Sequence, residues 1–199
     1  DLFQFANQKA CELAIKAREL SKKNILIAGS LPAQNDTYQA DKRDQNIIEK
    51  DFFDQASIIN PYIDFFYLDV ISSGREVEVA LNAIDKLNKP VLVGLHLKKN
   101  GMLPSGETIT EIVKKYKNTK WLGVVSACVS LEIIEQTVDE LKSLDIPFGF
   151  KANLWAVEEP LPVHRFNTAG YNEIGKNPNI ILRKRDIKRK VFCQFAKKI

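Results

Sequence analysis

Apolar residues return at helical spacing from Leu2 through Phe5, Ala6, Ala10, Leu13 and Ala17 to Leu20, which predicts one amphipathic helix over residues 2–22. The pattern then changes to short, unbroken apolar runs bounded by Gly, Ser, Pro or polar residues. These runs are Asn24–Leu31, Ile63–Val70, Pro90–Leu97, Trp121–Cys128 and Pro147–Asn153. Runs of this length, apolar on both faces, are what strands of a parallel sheet look like when both sides are covered. Helical patterns fill the gaps, over 43–59, 74–87, 107–117 and 130–143. Ser72-Ser73-Gly74 supplies capping chemistry for the helix that carries Glu76, Val77, Val79 and Ala80.

The strand starts recur about every 31 residues, one strand–helix unit per step. Eight such units make an eight-fold β/α barrel of roughly 250 residues. Five are present, behind a helix with no strand before it. The expected fold is α/β, a partial (β/α)8 barrel lacking its first strands and its last. A flavodoxin-like sheet of five strands is the alternative. No linker or low-complexity stretch interrupts the alternation, so residues 1–199 read as one incomplete domain with a basic tail over 183–199. The only methionine is Met102, and the chain opens inside a helix; it reads as a piece of a longer protein.

Composition narrows the function class. With 45% hydrophobic and 27% charged residues in 199, the chain has the balance of one globular domain and is not a disordered one. No run approaches the roughly 18 apolar residues of a membrane-spanning helix. Three cysteines, Cys11, Cys128 and Cys193, cannot all pair with one another, which favours reduced thiols and a cytoplasmic setting. The net charge of +4 is local: residues 183–190 hold six basic groups and one acidic group, leaving the body close to neutral. That is not the broad basic footprint of a nucleic-acid binder, so neither nucleic acid nor membrane is an expected partner.

In parallel α/β folds the chemistry gathers at the carboxyl ends of strands. Here those ends carry Gly29-Ser30, Asp69, His96, Cys128 and Asn153. Each also has a plain structural reading: a tight turn, a helix cap, a buried rim histidine, a small core thiol. The sequence contains no CxxC, HExxH, GxSxG, P-loop or GxGxxG, so dithiol redox, zincin, esterase and dinucleotide-binding readings have no support.

Local runs carry more. Ile27-Ala28-Gly29-Ser30-Leu31-Pro32 is followed by Tyr38 and Asp41; Pro90-Val91-Leu92-Val93-Gly94 leads to Leu103-Pro104-Ser105-Gly106-Glu107-Thr108; Leu122-Gly123 leads to Cys128 and then Ser130-Leu131-Glu132; Lys151-Ala152-Asn153 closes the series. In this order and spacing they resemble the homocysteine S-methyltransferase family over roughly residues 5–180. The resemblance implies an eight-stranded β/α barrel that holds Zn²⁺ on three cysteine thiolates. It would transfer a methyl group from a small activated donor to homocysteine, giving methionine.

Residue by residue, the resemblance implies that Cys128 is a zinc ligand; another alignment puts Ser126 at that position. The family's other two thiolates come from a Gly-Gly-Cys-Cys run that this sequence does not contain, and Cys193, in Val191-Phe192-Cys193-Gln194-Phe195, does not match it. Asp69-Val70 stands where the family has the Glu-Thr that holds the homocysteine amine, and Asn153, Gly29 and Ser30 would line the same pocket. With one thiolate of three, this polypeptide alone is expected to be inactive. Two rival readings remain: a barrel lyase or aldolase using Asp69, His96 or a Schiff-base Lys151, and a non-enzymatic binding piece acting through the basic tail.

Overall fold

The computed structural model describes residues 1–153, 155–156, 183–184 and 189–199. Five parallel strands, β1 (Ala28–Pro32), β2 (Phe65–Ile71), β3 (Val91–Leu95), β4 (Trp121–Val129) and β5 (Phe148–Ala152), form one sheet in the order β1-β2-β3-β4-β5. Helices α1 (Leu2–Ser21), α2 (Gln45–Ile59), α3 (Gly74–Ile84), α4 (Ile109–Tyr116) and α5 (Leu131–Lys142) alternate with them. Consecutive helices pack on one another from α1 to α5.

Strand order decides between the two expected folds. A flavodoxin-like sheet reverses its order at the first strand, whereas a barrel adds each new strand on the same side. The order here is sequential, and the sheet is curved. A flat sheet would set β2 and β5 about 14 Å apart, three strand spacings. Yet Lys151 on β5 reaches Asp69 on β2, with its Nζ 2.7 Å from each carboxylate oxygen. The partial-barrel expectation is met.

The core lies between the convex side of this arc and the helices. Phe66 and Leu68 of β2, Val91 and Val93 of β3 and Val124 of β4 meet Ile48 and Phe52 of α2, Val77 and Ala80 of α3, and Ile134 of α5. Each large side chain so buried contributes about 1.5–3 kcal/mol. The helices start where their capping residues put them. Ser73 Oγ accepts from the Glu76 backbone N–H, and Thr108 with Glu111 forms a reciprocal capping box at α4.

Two expectations need correction. The strand expected from Asn24 begins only at Ala28, because Asn24–Ile27 precede the ladder and Ile25 and Leu26 are exposed. The apolar stripe of α1 is also largely uncovered: Leu2, Phe5, Leu13 and Leu20 are exposed, and only Cys11 of that helix is buried. Helical periodicity identified the helix correctly, but among the described residues α2 is its main neighbour.

Most of the tail from 157 lies outside the described residues, including the basic run apart from 183–184 and 189–190. A two-residue antiparallel pair, β6 (Trp155–Ala156) with β7 (Arg183–Lys184), and helix α6 (Arg189–Lys198) are described. Helix α6 rests on β5 through Phe192 and Phe195, whose rings meet Phe150 edge-on.

Candidate active site

The strand ends gather the chemistry. Side chains on alternate positions of β2 divide between the two faces of the sheet: Phe66 and Leu68 point into the core, and Tyr67 and Asp69 to the concave side. Gly94 on β3 makes room for Tyr67. A Cβ at this position would come within 2.7 Å of both the Leu68 carbonyl oxygen and the Tyr67 hydroxyl. Lys151 crosses the arc above this ring, its Nζ 5.6 Å from the Tyr67 centroid, and ends on Asp69. Burial first, then the negative charge of Asp69, pushes the Tyr67 phenol above its ordinary range. The Tyr67 hydroxyl is buried on the concave side, next to Asp69.

Cys128 stands at the end of β4, partly exposed. Its sulfur lies 3.2 Å from the Tyr38 hydroxyl, and its carbonyl accepts a 2.9 Å hydrogen bond from the Asn153 side-chain amide. Tyr38 comes from the loop between β1 and α2, and its ring also lies 4.7 Å from that of His96. Burial is the main reason the Tyr38 phenol is held well above its usual range, with the hydrogen bond to Cys128 second.

The backbone is strained at the same place. Among the described residues, five non-glycine residues have positive φ. Two of them, Lys22 and Asn88, are left-handed helix caps. The other three are Tyr38 (70°), Val70 (62°) and Cys128 (57°). Val70 sits where the β2–β3 register shifts, and Cys128 where the β4–β5 register shifts. A β-branched residue at positive φ is costly, and such outliers collect at functional sites. The bulge at Cys128 turns a residue out of the ladder at the strand end.

The loop that carries Tyr38 is tied down by charge. Asp41 is buried and accepts three bonds of 2.8–3.2 Å from the Arg43 guanidinium, which also reaches Asp51 at 2.9 Å. Arg75, at the start of α3, donates to the carbonyls of Asp41 (3.2 Å) and Arg43 (2.7 Å). Glu76 is buried against this anchor, with Ser73 Oγ donating to it at 2.6 Å. Burial raises the Glu76 carboxyl to about 7, against the lowering effect of the Ser73 bond.

The sequence candidates are thus placed as follows. Asp69, Cys128 and Asn153 stand at the carboxyl ends of β2, β4 and β5. Ser30 faces the concave side, while Gly29 turns to the helix layer, where a Cβ would press on Ile59 and Ile63. Asp69 does not cap α3; Ser73 does. His96 is buried and desolvation lowers it to about 4, so it is neutral at pH 7, with Nδ1 3.3 Å from the Ala127 carbonyl. Ser126, the alternative to Cys128, is buried in β4, and among the described residues its hydroxyl has no hydrogen-bond partner. Lys151 is engaged by Asp69 and is not a free Schiff-base amine. Tyr38 and Tyr67 were not expected in the site. For Tyr38 the available sequence signal is its place in the loop that follows the Ile27–Pro32 run.

A family model for homocysteine S-methyltransferase matches residues 1–175. The chain belongs to that family. Two crystal structures of the homocysteine methyltransferase MmuM from Escherichia coli share its fold. The metallated form aligns with a TM-score of 0.64 at 17% identity, over 75% of this chain and 58% of that one. The apo form aligns at 0.60 and 17%, over 75% of this chain and 60% of that one. The chain therefore spans under two thirds of the length of these relatives. No curated protein matches the sequence.

The described residues do not by themselves make a metal site for this family member. None of them form a group of three or more His, Cys, Asp or Glu side chains able to hold an ion. Cys128 offers one accessible thiol, while Cys11 is buried in α1 and Cys193 lies on α6. Among the described residues no helix is long and apolar enough to cross a membrane.

Proposed function

We propose that the protein is a homocysteine S-methyltransferase, moving a methyl group from an activated donor to the sulfur of homocysteine to give methionine. Family membership supports the reaction class. The observation that supports the site is the convergence of Tyr38 and Asn153 on Cys128 at the end of β4, with Asp69 and Lys151 paired across the same concave face.

The reaction is a displacement. The homocysteine thiol gives up its proton, and the sulfur attacks the donor's methyl carbon in line. The new S–C bond forms as the donor's bond to that carbon breaks, and the donor leaves with the bonding pair. A free thiol, with a pKa near 8.5, is mostly protonated at neutral pH, so the site has to favour the thiolate. Zinc is the cofactor this reading expects, with Cys128 among its ligands; when bound it supplies Lewis acidity toward a thiol.

The chain's own residues position the substrate. In this reading Asp69 receives the homocysteine ammonium. Asn153, anchored on the Cys128 carbonyl, and Ser30, on the concave side of β1, line the same pocket. Tyr38 and its anchored loop cover Cys128 and limit the access of water. Holding the two reactants in line is the larger part of what such a site does. The free thiols fit a reducing cytoplasm. With one of three thiolates among its described residues, the 199-residue polypeptide alone is proposed to bind homocysteine without turning it over.

The test is to express the protein from its whole reading frame and supply labelled homocysteine. Each donor is then offered in turn: S-methylmethionine, S-adenosylmethionine, betaine and a methyl folate. Labelled methionine from any one donor supports the reading; none from all four, with the protein folded and zinc present, refutes it.

A further inference from the structure

We infer that Lys151 is a specificity residue of the strand-end site: with Asp69 it selects a thiol bearing a zwitterionic α-amino-acid head, Lys151 taking the carboxylate and Asp69 the ammonium. This rests on the homocysteine reading above.

The pair bridges two strands held by the sheet, β5 and β2, and is closed symmetrically, with Nζ 2.7 Å from each Asp69 oxygen. It is not saturated. An ammonium has three donors and a carboxylate about four lone-pair sites, so both partners keep capacity for a ligand. The two ends are also unequally accessible: the Lys151 side chain is 47% exposed and that of Asp69 19%. A ligand therefore meets Lys151 toward solvent and Asp69 deeper in. The Tyr67 ring beneath the ammonium holds it over the concave face.

Charge balance picks the ligand. Of the side chains that meet here (Tyr38, Tyr67, Asp69, Cys128, Lys151 and Asn153), Asp69 and Lys151 are the oppositely charged pair, and they cancel. A thiol with only an amine, or only a carboxylate, adds one uncompensated charge to a partly buried neutral site, which is costly. A zwitterion adds none. Its two charges sit on one carbon and can lie antiparallel to the Asp69–Lys151 pair, each against its opposite. A pair that merely braces the barrel would make no such distinction among ligands.

The test compares three thiols binding to this chain under reducing conditions by amide NMR titration: homocysteine, its decarboxylated analogue (an aminothiol) and its deaminated analogue (a thiol acid). The parent chain is expected to prefer homocysteine to either analogue by about ten- to a hundredfold, the range of one charge-assisted hydrogen bond. In Lys151→Met the preference over the aminothiol is lost, while the aminothiol binds as well as before or better. Lys151→Arg keeps the preference. Should Lys151→Met fail to give a dispersed spectrum, Lys151→Gln, whose neutral amide can still donate to Asp69, replaces it and is likewise expected to lose the preference over the aminothiol. Retention of the parent's preference in the variant lacking Lys151 overturns the inference. Binding of none of the three thiols to the parent overturns the homocysteine reading too, a result distinct from the first.

Discussion

The Tyr38 hydroxyl stands 3.2 Å from the Cys128 sulfur, across a sequence separation of 90 residues. The contact exists because a charged anchor fixes the loop between β1 and α2. Arg75 holds two of its carbonyls, and Arg43 closes on Asp41 within it.

Cutting that anchor is expected to uncover the thiol. In Arg75→Ala, alkylation of Cys128 should proceed several-fold faster than in the parent, while the exposed Cys193 reacts at an unchanged rate. Peptide mapping by mass spectrometry reads both in one sample. Equal rates at Cys128 in the two proteins would mean that the loop is not held by Arg75.

Gly94 tests the concave face from below. Gly94→Ala puts a methyl group within 2.7 Å of a backbone oxygen and of the Tyr67 hydroxyl. The backbone oxygen cannot turn aside as a side chain can. The expected cost is about 1–3 kcal/mol, the range for overpacking. Urea unfolding measures it, and a change within error of zero would show that Tyr67 has another place to go.

Two buried groups titrate with opposite consequences for stability. Glu76 is raised to about 7, so between its unfolded value near 4.5 and 7 the folded state holds a proton that the unfolded state has lost. Its contribution to stability therefore falls as pH rises through that window. His96 is lowered to about 4, so between 4 and 6.5 the unfolded state binds the extra proton, and stability rises with pH. Each slope is at most about 1.4 kcal/mol per pH unit. The parent chain is thus expected to show a flat profile between about pH 4.5 and 6.5 from these two groups. Glu76→Gln should leave the rising limb, and His96→Gln the falling one. Urea midpoints across pH decide it, and matching slopes in the two variants would refute both assignments.

Much of this architecture was legible in the sequence, for physical reasons. Short runs that are apolar at most positions marked all five strands, and helix starts carry capping residues, so Ser73 marked α3. The alternation alone could not choose between barrel and open sheet. That depends on which side each strand is added and on the curvature of the sheet, long-range facts read from the strand order and from Lys151 reaching Asp69. Apolar spacing on α1 implied a buried stripe, but periodicity does not say what covers a face.

The candidate site was legible by position rather than by contact. Strand ends pointed to Asp69, Cys128 and Asn153, since parallel folds collect chemistry there. The pairing of Asp69 with Lys151, and of Cys128 with Tyr38, was not readable. Each pair joins residues more than eighty apart in sequence, brought together only by curvature and by an anchored loop. Nor does any local pattern reveal that Val70 and Cys128 take positive φ at register shifts.

The central claim is that the Cys128 strand end is the site of thiol methylation. It is tested most directly by replacing each cysteine in turn by serine in the protein from its whole reading frame, with methionine formation followed from homocysteine and the active donor. The account predicts that Cys128→Ser abolishes turnover and lowers bound zinc, while Cys193→Ser leaves both unchanged. Undiminished methionine formation in Cys128→Ser would contradict it.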